Sequence, residues 1–410
     1  MSFRTALSGL NAAQTDLNVT GNNIANANTT GFKGSRTEFV DVYAASFLGV
    51  TKATAGSGVR VSAITQDFSQ GNIAFTTNNL DMAINGDGFF VLSDSGTNVY
   101  SRAGNFHLDR DGYIVNSQNA KLQVYPSTSA GNYDTGVLAD LQLLSVEGVP
   151  SATSTVAVGV NLPASASEPA VAFAANNPDT YNASSSTVIY DSLGSSHTST
   201  MFFRKDETTP PGVNLWNVYL YTDGTLVTSG GASPVQLSFN SDGTLATAQP
   251  IAFDAYAPGN GANAITQSLD LTATTQYGSP FSVNALSQNG YSTGRLTGVS
   301  IDADGVVSAR YTNGQSTTLG KVAMANFANN NGLNQLGNTT WGETFASGDR
   351  ILGEASRGTF GLLQSGAVES SNVDVAEQLV GLITAQRNYQ ANAQVISAEN
   401  QVSQTIINIR

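Results

Sequence analysis

The sequence predicts a mainly β protein with α-helical termini, organised as discontinuous nested domains. Three observations support this fold class. Apolar residues recur every seven positions at both ends of the chain, which is typical of paired helices. Between the ends, apolar and polar residues alternate and are interrupted by turn residues, which is typical of strands. Only 11% of the 410 residues are charged and 41 are glycine, a composition that favours strands, turns and loops over salt-bridged helices.

The first predicted element is an N-terminal helix with an apolar seam. One series of the repeat is Phe3, Leu10, Leu17 and Ile24, and the second, three residues on, is Ala6, Ala13 and Thr20. This seam is too rich in small and polar residues for a stable two-stranded coiled coil, and a lone helix of this length is marginal in water. We therefore expect the helix to be stabilised by packing against others.

A polar segment, NNIANANTTGFK at 22–33, follows this helix. Asparagine side chains bond nearby backbone groups and tolerate left-handed geometry, so they suit a helix end and the turn after it. Glycine permits a positive φ or a close backbone approach. The candidate functional residues of the segment are Asn22, Asn23, Ile24, Asn26, Asn28, Thr30, Gly31, Phe32 and Lys33.

Strands are predicted for most of the middle. Met82-Ala83-Ile84 leads into Asn85-Gly86 and then Phe89 to Leu92, which predicts a hairpin. Strand, turn and strand are also predicted at 105–115 and at 296–315. Residues 145–284 continue as strands with loops, and they carry ten Asp or Glu against two Lys or Arg. This acidic, loop-rich part is expected to be the outermost.

The last predicted element is a C-terminal helix, capped by Ser370, Ser371, Asn372 or Asp374. Its first apolar series is Val375, Leu382, Tyr389 and Ile396, and its second is Leu379, Gln386, Ala393, Asn400 and Ile407. The predicted interface residues of this helix are Val375, Leu379, Leu382, Ile383, Gln386, Tyr389, Asn392, Ile396 and Ile407. Residues 374–410 contain ten Asn or Gln but only five charged residues. We therefore expect the ends to fold by assembly with neighbouring polar helices.

The predicted division of the chain is nested. Residues 1–30 and 370–410 form a terminal helical polymerisation domain, and residues 31–68 and 349–369 form connecting segments. Residues 69–144 and 285–348 form a β-rich core domain. Residues 145–284 form a β-rich outer domain.

Composition argues against several classes of function. The net charge is −13 and no basic stripe exists, so a nucleic-acid partner is not expected. No apolar run approaches a membrane span and no signal peptide is evident, so membrane insertion is not expected. There are no cysteines.

Catalysis has few candidate residues. The two histidines, His107 and His197, lie in strand-like runs, and no nucleophile signature accompanies them. Asp109 to Gly112 and Asp302 to Gly305 begin like calcium loops but lack the glutamate at the twelfth position, so we interpret both as turns. No catalytic residue, cofactor or metal site is expected.

The two ends also resemble a known family. NNIANANTTGFK and the stretch at 369–401 resemble the terminal signatures of the bacterial flagellar axial proteins, which include rod, hook and hook-associated subunits. SQGNIAFTTNNLDMAINGDGFFVL (69–92) and YSRAGNFHLDRDGYIVN (100–116) resemble the core domain of rod and hook subunits. The stretches at 186–206, 214–224 and 296–348 resemble hook subunits in particular. One departure, SQNAKLQVYP at 117–126, lacks a glycine that the family usually has.

This resemblance implies a structural subunit of a hollow, flexible hook that transmits torque from rod to filament and forms part of the export channel. It implies an extracellular protein that is exported unfolded, without a cleaved signal peptide. The implied partners are other copies of the chain, the rod protein, the hook–filament junction protein, the hook cap protein and the type III export apparatus. The terminal helices are implied to pair as the innermost layer of the tube.

Two interpretations of residues 22–33 remain open. In the first, the segment contacts a neighbouring subunit, with Phe32 as the anchor and Lys33 paired with an acidic residue. In the second, it is an ordinary capped loop within one subunit. The alternatives for the whole chain are a distal rod protein and, from a different class, a secreted β-rich adhesin.

Overall fold

The computed structural model describes residues 2–42, 56–129, 132–143, 147–207 and 214–408. Helix α1 spans Ser2–Ala25 and helix α2 spans Val375–Asn408, and these two helices pair. Strands and two short 3₁₀ turns, Pro178–Thr180 and Asn330–Gly332, lie between them. The predicted class, mainly β with helical termini, is confirmed.

The strands are short and numerous. The first twelve are β1 Ser35–Asp41, β2 Val59–Gln66, β3 Ile73–Phe75, β4 Met82–Asn85, β5 Phe89–Asp94, β6 Thr97–Ser101, β7 His107–Leu108, β8 Ile114–Val115, β9 Lys121–Ser129, β10 Asn132–Tyr133, β11 Ala139–Asp140 and β12 Glu147–Gly148. The next nine are β13 Thr155–Asn161, β14 Ala183–Tyr190, β15 Ser196–Asp206, β16 Asn214–Thr222, β17 Thr225–Val227, β18 Val235–Phe239, β19 Ile251–Ala252, β20 Ser268–Asp270 and β21 Ser282–Gln288. The last eight are β22 Gly294–Ile301, β23 Val306–Tyr311, β24 Ser316–Asn326, β25 Asn334–Gly337, β26 Thr340–Gly342, β27 Ile351–Glu354, β28 Leu362–Ser365 and β29 Ala367–Glu369.

The chain forms two compact units. The first contains residues 1–144, 298–310 and 316–410, and the second contains residues 145–297 and 311–315. The second unit is therefore an insertion in the first, as a nested organisation requires. The finer four-part division remains a prediction.

The first unit contains the helices, a hairpin and a large sheet. The hairpin is β1 paired with β2 in antiparallel register. The large sheet runs β23–β24–β9–β5–β6–β26–β25, and β27 also pairs with β24. Two small sheets, β3 with β29 and β4 with β28, join segments from the two halves of the sequence.

The predicted hairpin at Asn85-Gly86 is wrong. Strand β4 pairs with β28, whereas β5 pairs with β6, β9 and β24. Gly86 instead has a φ of +115° and lies very close to Gly361. A Cβ added to Gly86 would be 2.9 Å from the Cα atom of Gly361. The local turn signal was overridden because Met82, Ala83 and Ile84 are fully buried and the strand with which they pair, β28, is about 280 residues away.

Two other predicted turns are confirmed. Strands β7 and β8 form the hairpin predicted at 105–115, and the Asp109 carboxylate accepts hydrogen bonds from the backbone amides of Asp111 and Tyr113. The Asp302 carboxylate likewise accepts hydrogen bonds from the backbone amides of Asp304 and Val306, at the start of β23. These aspartates therefore organise turns through their own backbone, as short polar side chains commonly do.

Each unit has its own apolar core. In the second unit, the sheets β19–β20–β13–β21 and β14–β15–β16–β17 contribute to a single cluster around Trp216 and Phe203. In the first unit, one cluster surrounds Phe90 and Leu122 and another surrounds Tyr100 and Trp341. The helices contribute nothing to these clusters, so the β-rich parts are stabilised independently of them.

Candidate functional site

The terminal helices form an antiparallel pair with a close-packed seam. Gly9 of α1 faces Asn392 of α2 so closely that an added Cβ would lie 2.6 Å from the amide oxygen. At the other end, Asn23 donates a hydrogen bond to Gln378 Oε1 at 3.0 Å. Small residues are therefore required along this seam, because larger side chains would separate the helices.

The α1 residues of the predicted seam divide into two groups. The small series, Ala6, Ala13 and Thr20, is buried. Leu10, Leu17 and Ile24 are only half-buried, and Phe3 is 42% exposed. Within one chain, the apolar series thus leaves part of its surface available.

The α2 residues show a correction to the predicted repeat. The half-buried or buried face of α2 contains Leu382, Tyr389 and Ile396, as predicted for the first series. The second series of this face is one residue earlier than predicted: Gln378, Ala385, Asn392 and Glu399, with Ala385 almost fully buried. The apolar character of Leu379 drew the prediction away from positions whose small or polar side chains permit the close approach of α1.

The remaining predicted α2 interface residues face away from α1. Val375, Leu379 and Ile383 are each 44 to 48% exposed, and Gln386 is exposed. The side chain of Ile407 lies outside the described residues. Further exposed apolar side chains on the helix pair are Leu7, Val380, Val395 and Val402. Leu379, Val380 and Ile383 lie within about one turn of each other, and a group of exposed apolar side chains of this kind often marks an interaction site.

The polar segment after α1 forms a tightly bonded turn. Asn26 donates from its side chain to the carbonyl of Asn22 at 3.0 Å and accepts from the Thr29 hydroxyl at 3.1 Å. Asn23 is buried, and its amide exchanges two hydrogen bonds with the backbone of Ser35, at 2.7 and 2.9 Å. Asn28 and Thr30 make no side-chain hydrogen bond within the described part of the chain and are exposed and half-buried. The segment therefore fastens the end of α1 to the start of β1 and the first turn of α2.

Gly31 occupies a position that only glycine fits. Its φ is +66°, and an added Cβ would lie 2.4 Å from the backbone nitrogen of Ala103. Its own amide donates to the carbonyl of Glu369 at 2.8 Å. The backbone of the segment thus touches both the loop after β6 and the end of β29.

Phe32 is buried within its own chain, with 7% of its surface exposed. The expectation that Phe32 anchors the segment in a neighbouring subunit is therefore wrong. The ring is already removed from water by its own chain, so little of its apolar surface remains for a second copy to bury.

Lys33 belongs to a buried ion cluster. Its Nζ lies 2.6 Å from Glu369 Oε1 and donates to the carbonyl of Ser69 at 2.7 Å. The other oxygen of Glu369 accepts from Arg102 at 3.3 Å, and Gly71 donates its amide to Oε1 at 2.9 Å. Lys33 thus pairs with an acidic residue, as expected, but with one from its own chain.

Burial and pairing oppose each other in this cluster. Burial lowers the pKa of Lys33, and the Glu369 carboxylate partly compensates. Burial likewise lowers the pKa of Arg102. A buried carboxylate between two cations is held because each charge removed from water needs a partner.

Several residues of this junction were not predicted from the sequence. Glu369 and Arg102 lie 267 residues apart, and neither stands out in its local pattern. Asn372 was considered only as a helix cap, yet it accepts from Gly34 and donates to the carbonyl of Asp67. The cap of α2 is Asp374, which accepts from Ala376 and Glu377. The sequence placed Glu369 only at the end of a connecting segment, so no local signal pointed to its role.

His197 lies in a second polar cluster, in the second unit. Its Nδ1 is 2.6 Å from Asp223 and its Nε2 is 3.1 Å from Asp191, which is fully buried. Burial opposes the charged form, but the two carboxylates outweigh it and raise the pKa of His197. Hydrogen bonds from Asn260, His197 and two backbone amides outweigh the effect of burial and lower the pKa of Asp191. Both ring nitrogens are engaged by carboxylates, so neither is directed at a hydroxyl nucleophile; His107 is exposed on β7.

The described residues offer neither a metal site nor a membrane-spanning helix. They contain no group of three or more metal-ligating side chains placed to hold an ion. None of the helices within them is long and apolar enough to cross a membrane.

Family models match the chain in four places. The model for the flagella basal body rod protein matches residues 3–33, and the model for the flagellar hook protein FlgE/F/G D1 domain matches 83–172. The model for the flagellar basal body protein FlaE D2 domain matches 161–291. The model for the flagellar basal body rod FlgEFG protein C-terminal matches 364–409.

Full-length relatives are also similar. The flagellar hook protein FlgE of Escherichia coli (strain K12) is 40% identical over 422 residues, and that of Salmonella typhimurium is 39% identical over 416. The alignments cover all of both chains in each case. The FlgE of Borreliella burgdorferi is 31% identical over all of this chain and 99% of its own.

Solved structures with this fold include a hook protein from Helicobacter pylori. The crystal structure of Helicobacter pylori flagellar hook protein FlgE2 superposes with a TM-score of 0.53 at 15% identity. It covers 72% of this chain and all of the Helicobacter chain.

Proposed function

The chain belongs to the family of bacterial flagellar hook proteins, and we propose that its terminal helices are the elements through which copies polymerise. It is a structural subunit of the flagellar hook and serves motility. Hook subunits form a homopolymer within the flagellar basal body. The surfaces through which copies of this chain contact one another are proposed below.

The exposed apolar face of the helix pair is the observation that supports this proposal. Leu379, Val380 and Ile383 project from the side of α2 that does not contact α1. Complete burial of a fully exposed side chain of this size is worth about 1.5 to 3 kcal/mol, and these side chains, about half exposed, would gain roughly half of that on being covered. Other helix pairs of the same kind are the natural cover, because their faces have the same chemistry. Copies related by a screw rotation do not close into a ring, so they would form a continuous helical tube.

Glutamines on α2 suit a channel wall. Gln386, Gln390, Gln394, Gln401 and Gln404 are all exposed and lie on the side away from α1. We propose that part of this amide surface lines the export channel, where unfolded substrates meet neither an apolar wall nor fixed charge. Arginines at Gln390 and Gln394 should then reduce the secretion of downstream subunits through preformed hooks. Undiminished secretion would contradict this part of the proposal and would leave these amides as packing groups between subunits.

The second unit suits outer contacts that slide. It is acidic and loop-rich, and weak, hydrated contacts between such domains re-form at low cost as the tube bends. The inner helices would keep the tube sealed while it acts as a universal joint between rod and filament.

The four-part division of the chain is proposed on the same basis. Residues 1–30 and 370–410 polymerise, residues 31–68 and 349–369 connect, residues 69–144 and 285–348 form the core, and residues 145–284 face outward. The ion cluster of Lys33, Glu369 and Arg102 would then lie where connecting segments meet the core.

The finer partners are inferred from the family. They are the rod protein, the hook–filament junction protein, the hook cap protein and the type III export apparatus. We propose that the chain reaches the extracellular hook unfolded and without a cleaved signal peptide. We also propose that His197 is structural rather than catalytic, since both its nitrogens are bound by carboxylates.

Basal bodies test the proposal in cells. A strain that lacks its own copy of this gene would produce either the full-length chain or a chain without residues 1–30. We expect purified basal bodies to carry hooks when the strain produces the full-length chain, and to lack them when it produces the truncated chain. Hooks formed by the truncated chain would contradict polymerisation through the helices. A distal rod protein would give straight projections, and an adhesin would keep its surface binding after the truncation.

A further inference from the structure

A small groove lies where α1, α2 and the β1–β2 hairpin meet, entirely within the first unit. Its volume is about 330 Å³. Ala12, Ala13, Phe39 and Val59 supply an apolar lining, and Asp16 and Asn388 supply polar groups. The groove therefore suits an apolar stem that ends in a group able to bind a carboxylate.

Asp16 is the single charged side chain among the groove residues. It is half-buried and makes no ion pair with any residue that the structure describes. An acid in the middle of a helix gains nothing from the helix dipole, which acts within the first and last turns. If the helix pair is covered on assembly, this carboxylate loses water and needs a cation.

Arg387 is the matching cation. It is exposed, lies in the middle of α2, and has no ion-pair partner within the described residues. It follows the seam residue Ala385 by two positions, a rotation of about 200°, so it projects away from α1 and the groove of its own chain.

We propose that the groove binds the Arg387 side chain of a second copy of this chain. The aliphatic stem packs on Ala12, Ala13 and Val59, since arginine buries its methylene groups while its head remains polar. The guanidinium pairs with the Asp16 carboxylate and lies against the ring of Phe39, which is 46% exposed. This inference rests on the proposed polymerisation through the terminal helices and assigns one specific contact within it.

The other charged residues of the two helices, Arg4, Glu377 and Glu399, lie toward the ends of the helix pair. Glu377 lies in the first turn of α2, where the helix dipole stabilises a carboxylate. Arg4 and Glu399 lie near the same end of the antiparallel pair, because residue 9 faces residue 392. Asp16 and Arg387 remain as opposite charges at mid-helix positions on different faces.

A charge swap tests the contact. The variants are Asp16→Arg, Arg387→Asp and the double variant with both changes, in the full-length chain. Each single variant should raise the critical concentration for polymerisation on the order of tenfold or more, since it places two like charges together at the contact and a tenfold change corresponds to about 1.4 kcal/mol. The double variant should recover to near the wild-type value. Sedimentation of polymer is the readout for purified protein, and the number of hooks per basal body is the readout in cells.

A mispaired swap serves as the control. Asp111→Arg combined with Arg387→Asp restores the net charge but should not recover assembly, since Asp111 is an exposed carboxylate outside the helices and is not the proposed partner. Recovery by this control, or single variants that assemble like wild type, would overturn the Asp16–Arg387 contact and leave polymerisation standing. Wild-type protein that forms neither sedimentable polymer nor hooks would instead contradict the proposed function itself.

Discussion

Lys33 Nζ lies 2.6 Å from Glu369 Oε1, and both side chains are completely removed from solvent. Lys33 follows the turn after α1, and Glu369 ends the last strand before α2. One buried ion pair therefore links the exit from the first helix to the approach to the second. Arg102, from the loop after β6, completes the junction with the large sheet.

Replacing Glu369 by Gln should destabilise the first unit by about 3 to 5 kcal/mol, because Lys33 and Arg102 would remain buried without an anion. Urea unfolding followed by Trp341 fluorescence measures this in a Trp216→Phe background, since the two tryptophans lie in different units. Asp111→Asn removes an exposed carboxylate and should change the free energy of unfolding by less than about 0.5 kcal/mol. Equal effects of the two changes would argue against an essential ion cluster.

Gly31→Ala should destabilise the same unit by at least about 1 to 2 kcal/mol, the usual cost of left-handed geometry for an L-residue, with the contact to Ala103 adding to it. Gly21→Ala is the matched control, since it lies inside α1 with open space around it and should be neutral or stabilising by up to about 1 kcal/mol. The same urea measurement compares them. A tolerated Gly31→Ala would mean that the turn relaxes without cost.

The seam of the helix pair can be tested at two adjacent positions. Ala385→Leu should destabilise the pairing of α1 and α2 in the monomer by about 1 to 3 kcal/mol, because the added side chain overfills a close contact. Gln386→Leu places the same side chain at the adjacent, exposed position and should leave the monomer intact. Urea unfolding followed by far-UV circular dichroism reports helix loss. The reverse order of the two effects would restore the originally predicted repeat.

His197 should make the second unit less stable at alkaline pH. Its folded-state pKa is raised above the usual value of about 6.5, so its stabilising contribution is complete below that pH and is lost as pH rises through the folded pKa. The pKa values of Asp191 and Asp223 are lowered, so both remain ionised across this range. Urea midpoints between pH 5.5 and 9, followed by Trp216 in a Trp341→Phe background, measure the decline.

The control for the pH prediction is the other histidine. His197→Gln should flatten the decline, whereas His107→Gln, at an exposed position on β7, should preserve it. A decline that survives His197→Gln would assign the pH dependence to another group.

The sequence was sufficient for the class of fold and for the helical ends, because seven-residue repeats and alternation are local patterns. The turns at Asp109 and Asp302 were also predictable, since an aspartate organises them through neighbouring amides. The hairpin predicted at Asn85-Gly86 does not form because β4 pairs with a strand about 280 residues away.

The junction was only partly predictable for the same reason. The asparagines and Gly31 were recognisable as a helix end and turn. The partners Glu369 and Arg102 were not, because the fold brings them to Lys33 from distant parts of the chain. The second series of α2 that faces α1 was predicted one residue too late, at Leu379 and not at Gln378, because hydrophobicity was weighted above side-chain size.

Negative-stain electron microscopy of purified full-length protein is the direct test of polymerisation through the terminal helices. Leu379→Gln with Ile383→Gln changes the exposed apolar face of α2, and Val188→Gln with Leu226→Gln makes the same kind of change at exposed positions in the second unit. We expect curved hollow tubes from wild type and from the second-unit variant, and dispersed monomers from the helix variant. Tubes formed equally well by the helix variant would contradict polymerisation through the terminal helices.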